Sequence, residues 1–162
     1  MRERARRQPT ATGGPLPKQP FLDLRVTMID LSNLQPGAKG TAHLVVGAEH
    51  TAPSIGSGKV PVLATPVMIN VIEAAALAAV EHLLPVGHQS LGIHLDVKHF
   101  AATPIGMQVV ATAELIAVDG RMLSFRVEAR DDREPIGGGS HQRVVVNVAR
   151  FDERIQKKLA GR

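Results

Sequence analysis

The order of elements legible in the sequence predicts an α+β domain, with one long central helix wrapped by an antiparallel sheet. Three observations carry that prediction. One unbroken helical pattern lies between Ala64 and Leu84, alternating or β-rich runs follow it to about Phe151, and 162 residues hold one good core but not two. The expected organisation is a basic, disordered tail over residues 1–20 and a single domain over 21–162.

Residues 21–39 mix apolar and turn residues without a sustained period and read as a lead-in segment. From Gly40, the run Thr41-Ala-His-Leu-Val-Val-Gly47 is short, β-branched and bounded by glycine, which predicts a first strand. A loop of Pro, Ser and Gly continues to about Pro61. The helix follows, with Thr65 expected as N-cap, Pro66 in the first helical position and Pro85-Val-Gly87 as the stop. At ~1.5 Å per residue it would run about 28 Å. Being apolar almost all round, it is expected at the buried centre of the domain. Ser90 to Phe100 alternates, Met107 to Val118 is β-rich, and Asp119-Gly120 is a two-residue hairpin signal. Arg121 to Arg130 alternates again, Ile136 to Phe151 closes the series, and 152–159 read as a short solvated helix. Gly137-Gly-Gly-Ser140 is expected as a bulge at a strand start rather than as a binding loop.

A single sheet buries such a helix on one side and leaves a strand edge unpaired. A second copy solves both problems. Two sheets joined edge to edge around back-to-back helices form the hot-dog dimer, so the element order favours a homodimer.

Composition narrows the partners. The chain has no Trp or Tyr and four Phe (Phe21, Phe100, Phe125, Phe151), so the core is expected to be aliphatic and base-stacking platforms are lacking. The net charge of +4 resides in residues 1–20, leaving the remainder neutral, without the basic excess that nucleic-acid binding requires. The absence of cysteine excludes disulfides, thiolate metal sites and a cysteine nucleophile, and suits a reducing, cytoplasmic compartment. The apolar stretch Val67–Leu84 is broken by Asn70, Glu73, Glu81 and His82, and neither a signal peptide nor a membrane span is expected.

Three residues stand out chemically. Glu73 lies mid-helix with no Lys or Arg three or four positions away. An isolated carboxylate on a buried helix is either a tuned general base or a group hydrogen-bonded for structural reasons. By period two, Leu91, Ile93, Leu95 and Val97 share one strand face and Ser90, Gly92, His94, Asp96 and Lys98 the other, which places His99 on the apolar, helix-facing side. That position suits either a satisfied core histidine or a catalyst beside the helix carboxylate. Thr65 is explained as an N-cap, yet the free amides around it could also stabilise an oxyanion. No zinc-protease, dinucleotide, nucleophile-elbow or phosphate-loop motif is present, and the remaining histidines, His141 among them, show no ligand spacing.

Residues Leu63-Ala-Thr-Pro-Val-Met68, Ile72-Glu-Ala-Ala75, Gly92, Val97-Lys-His-Phe-Ala-Ala-Thr-Pro-Ile-Gly106 and Gly139-Ser-His-Gln-Arg143 resemble the hot-dog thioesterase family that includes the fluoroacetyl-CoA thioesterase. The resemblance spans Val62 to about Arg150. It implies a catalytic set of Thr65, Glu73 and His99, with Gly92 and Arg143 binding substrate. The fluoroacetyl-specific member carries lid phenylalanines before this helix, whereas Ser54 to Pro61 contain none; the resemblance therefore implies hydrolysis of an acyl-CoA of unassigned acyl group. In that reading Glu73 is base or nucleophile at the thioester carbon, His99 positions or protonates, and Thr65 with nearby amides holds the oxygen. No metal or other cofactor is expected, because a thioester is already activated. A hot-dog enoyl-CoA hydratase or a non-catalytic acyl-CoA-binding module are the alternatives.

Overall fold

The computed structural model describes residues 29–161, so the basic tail of residues 1–20 and the start of the lead-in lie outside the described residues. Strand β1 spans Lys39–Val45, a 3₁₀ turn Ala48–His50 and short helix α1 Ala52–Ile55. Helix α2 spans Thr65–Val80 and runs into a 3₁₀ turn, Glu81–Leu83. Strands β2 (His88–His99), β3 (Gln108–Asp119), β4 (Met122–Asp131) and β5 (Pro135–Asn147) follow, then helix α3 (Val148–Ala160). The five strands form one antiparallel sheet in the order β1-β3-β4-β5-β2, with β1 and β2 at its edges.

Alternation in the strands builds the core. Val109, Ala111, Ala113 and Leu115 of β3, with Leu123, Phe125, Val127 and Ala129 of β4, are all buried at every second position. They receive Met68, Ile72, Ala75, Ala76, Ala79 and Val80 from one face of α2. Alanine at so many facing positions lets helix and sheet approach closely, and Gly40 takes this furthest. A Cβ there would run into the α2 backbone at Ala75 and Ala79. The core is aliphatic as expected, with Phe125 its one aromatic among the described residues.

Helix α2 is buried on one face, as expected of a single sheet, and Asn70, Ala74 and Leu77 lie on an outer flank open to solvent. By length and composition Thr65–Leu83 could cross a membrane; here its inner face is occupied by the sheet. The expected loop to Pro61 contains the 3₁₀ turn and α1, and the terminal helix begins at Val148 because the Asn147 side chain caps it by accepting from Arg150 N. Gly137–Gly139 lie within β5, with the register shift one residue earlier, at Ile136 opposite Ala129 and Arg130.

The alternation in β2 is also interrupted. A bulge between Gly92 and His94 inserts Ile93, so Ser90 and Gly92 face the helix before it, and Leu95, Val97 and His99 after it. Period two alone put Ser90 and Gly92 on the opposite face from His99.

Candidate active site

Two groups of polar side chains flank α2. The first is at its start, where Thr65 Oγ1 lies 2.9 Å from His99 Nδ1 at the end of β2. Thr65 is not the N-cap. Ala64 occupies that position without a side-chain bond, Thr65 is the first helical residue and Pro66 the second, and the hydroxyl is thereby released to His99. Pro66 has no N–H, and Val67 N and Met68 N both donate to Ala64 O, so the expected set of free amides reduces to Thr65 N–H among the described residues. Among the described residues, His99 Nε2 is buried and without a partner. Burial pushes the His99 pKa below its usual 6.5, opposed by the backbone of Ala101. The ring is neutral at pH 7.

The second group surrounds Glu73, whose side chain is 35 % exposed. Its Oε1 lies 3.6 Å from Arg143 Nη1 and 3.8 Å from His141 Nε2, both on β5. Glu73 is therefore not the isolated carboxylate expected from its helical neighbours. Its cation comes across from the sheet, a partner that spacing along the helix cannot reveal. Gly92 makes room for it, since a Cβ there would fall on Glu73 Oε1. Arg143 is 5 % exposed, and its Nε and Nη2 donate to Ser90 Oγ and Ser90 O at 2.8 and 2.9 Å. Ser90 N and Oγ in turn donate to Glu81 at 3.1 and 2.7 Å. Burial lowers the Arg143 pKa, and Glu73 and Glu81 oppose it; a guanidinium stays charged regardless.

Sequence reasoning missed His141, Ser90 and Glu81. The period-two relation of His141 to Arg143, on one strand face, was the available clue. Thr65 and Glu73 are eight residues apart, about 12 Å along the helix. The fold thus brings Thr65 to His99, and Glu73 to Gly92 and Arg143, as two clusters along one helix. Among the described residues, no group of three or more His, Cys, Asp or Glu side chains could hold a metal ion.

The sequence profile of the fluoroacetyl-CoA-specific thioesterases matches residues 46–149. The chain belongs to that family. This thioesterase, a thioester hydrolase of the hot-dog fold, is 42 % identical over 97 residues to the fluoroacetyl-CoA thioesterase of Streptantibioticus cattleyicolor, covering 60 % of this chain and 70 % of that one. It is similar to the solved structure of the fluoroacetyl-CoA thioesterase FlK, with a TM-score of 0.73 and 35 % identity over 77 % of this chain and 97 % of the other. A thioesterase superfamily member from Thermus thermophilus is 26 % identical, with a TM-score of 0.72 over 79 % of this chain and 97 % of that one. A hot-dog-like protein from Thermanaerovibrio acidaminovorans, 22 % identical over 81 % of this chain and 97 % of the other, shares the fold, with a TM-score of 0.73.

Proposed function

We propose that this thioesterase hydrolyses an acyl-CoA to the free acid and CoA at a dimer interface, with Glu73 of one protomer acting at the thioester carbon and the Thr65–His99 pair of its partner at the thioester oxygen and departing sulfur. The observation that carries the reading is the Glu73 carboxylate on α2, 35 % exposed and anchored from behind by buried Arg143 of β5. A carboxylate held against a fixed cation is aimed, as a base or nucleophile requires. His99 Nε2 is a second buried polar atom without a partner among the described residues. Gly92 serves the substrate side by admitting Glu73 to the strand, and Arg143 contributes through Glu73, with its Nε and Nη2 bonded to Ser90 and its Nη1 to His141.

The proposed working unit is a homodimer in a reducing, cytoplasmic setting. Supporting it are the open flank of α2, the unpaired edge of β2 and a chain without cysteine. A solved FlK variant is in complex with fluoroacetate and CoA. Since Ser54 to Pro61 contain no phenylalanine, the substrate is proposed as an acyl-CoA other than one selected for fluorine.

The test is thiol release from a panel of acyl-CoAs by wild type and Glu73→Gln. Turnover on the best substrate should fall by at least ~10²-fold, the low end of general acid–base catalysis. Wild-type turnover in Glu73→Gln would show the carboxylate to be structural.

A further inference from the structure

Ser90, His141 and Arg143 are buried and form one connected network behind Glu73. Buried polar groups are costly unless every one is satisfied, and a satisfied network holds its members in a single geometry. His141 is the member whose chemistry is most constrained. Its Nδ1 lies 2.8 Å from the carbonyl oxygen of His94, which only accepts, so Nδ1 carries the proton. Its Nε2 lies 3.2 Å from Arg143 Nη1, which only donates, so Nε2 must present a lone pair. Both contacts are made only by the neutral imidazole. The ring is fully buried and stacks on Phe125 with centroids 6.0 Å apart.

We propose that neutral His141 is a positioning residue for Glu73. It accepts from one edge of the Arg143 guanidinium while Ser90, braced by Glu81, holds the other, and the fixed cation aligns the carboxylate. Protonating His141 replaces its acceptor by a donor pointed at a cation, and the alignment is lost. The charged and titratable groups facing the ring are Arg143 on its own strand, Glu73 on α2 and His94 on β2, with Glu81 linked through Ser90. Burial and the Arg143 charge lower the His141 pKa, the His94 carbonyl and Glu73 raise it, and the net direction is down from 6.5.

The inference rests on Glu73 as the working carboxylate, and the test separates the two. His141→Leu removes the acceptor, and His141→Gln keeps an acceptor oxygen that does not titrate. His141→Leu should lower kcat about 10²-fold with KM little changed, the scale of a misplaced catalytic group. His141→Gln should recover most of that loss and move the acid limb of the kcat profile to lower pH. In a Glu73→Gln background, His141→Leu should cause no further loss. An inactive Glu73→Gln beside a fully active His141→Leu overturns the positioning role alone, as does an equal loss in both backgrounds. A fully active Glu73→Gln overturns the reading of Glu73 and this inference with it. Should His141→Leu not fold, the His141→Gln profile decides, and an acid limb unchanged from wild type overturns the proposal.

Discussion

Thr65 Oγ1 and His99 Nδ1 lie 2.9 Å apart, joining the first residue of α2 to the last residue of β2 across 34 positions of sequence. The contact exists because Ala64, not Thr65, caps the helix. It leaves a hydroxyl and an imidazole paired at an exposed position, with the second imidazole nitrogen buried and free.

Thr65→Val therefore separates chemistry from capping. Removing a true N-cap costs typically ~1 kcal/mol. Thr65→Val should instead change stability by no more than about 0.5 kcal/mol, as for an ordinary surface substitution. Turnover should fall by about 10²-fold, the scale for losing one oxyanion-hole donor, and Thr65→Ser should restore most of it. Thermal melts and thiol release on the same preparations check both halves. Unchanged turnover in Thr65→Val would remove Thr65 from the mechanism.

The element order, the aliphatic core and most strand boundaries were legible in the sequence because each rests on local periodicity. Val109 to Leu115 and Leu123 to Ala129 bury every second residue, and that alternation is visible in the sequence itself. Tertiary relations were not. The one-residue bulge at Ile93 reverses the facing of Ser90 and Gly92, and the isolated glycine at 92 inside the strand is its mark in the sequence. The cation facing Glu73 comes from a strand 70 residues later, so counting neighbours along the helix made the carboxylate look unpaired. The family resemblance flagged Arg143, but Ser90 and Glu81, which hold it, follow only from the register of β2 against β5.

Gly92→Ala tests the fit of Glu73 against β2. The backbone of Gly92 is not in the left-handed region, so alanine meets only a steric obstacle: Glu73 Oε1, with His141 Cε1 at 3.1 Å. Overpacking of this kind costs roughly 1–3 kcal/mol. The methyl should also push the carboxylate off Arg143 and reduce turnover. Combining Gly92→Ala with Glu73→Ala should recover much of the stability loss, because the colliding group is gone. Independent, additive losses in denaturant melts would show that Gly92 answers to something other than Glu73.

Acidification should destabilise the fold in two windows. His99 and His141 have folded-state pKa values below 6.5, chiefly through burial, so the unfolded chain binds protons that the native state does not. Their contribution is full above pH 6.5 and is lost as pH falls through the lowered values. Asp131 acts lower. Burial raises its pKa, but the amides of Arg133 and Glu134 and the Thr103 hydroxyl outweigh that and hold it below 3.8. Its share is present above pH 3.8 and disappears below. Melts from about pH 8 to pH 5 should show falling stability, and His141→Gln should flatten part of that slope. A flat wild-type profile would contradict the burial of both rings.

Leu77 is 36 % exposed one turn beyond Glu73, Ile93 is 50 % exposed in the β2 bulge, and among the described residues the outer edge of β2 has no strand beside it. An apolar helix flank and a twelve-residue open edge are together a liability in a lone chain, and one two-fold operation covers both. Sedimentation at micromolar concentration should give a dimer. Leu77→Glu places a charge where two helices would meet, so it should shift the equilibrium to monomer and abolish turnover, even where the isolated fold survives. Because Leu77 neighbours Glu73, loss of activity alone is ambiguous, and sedimentation is the deciding measurement. A wild-type chain that sediments as a folded, fully active monomer would sink the dimer and place the whole of the chemistry within one protomer.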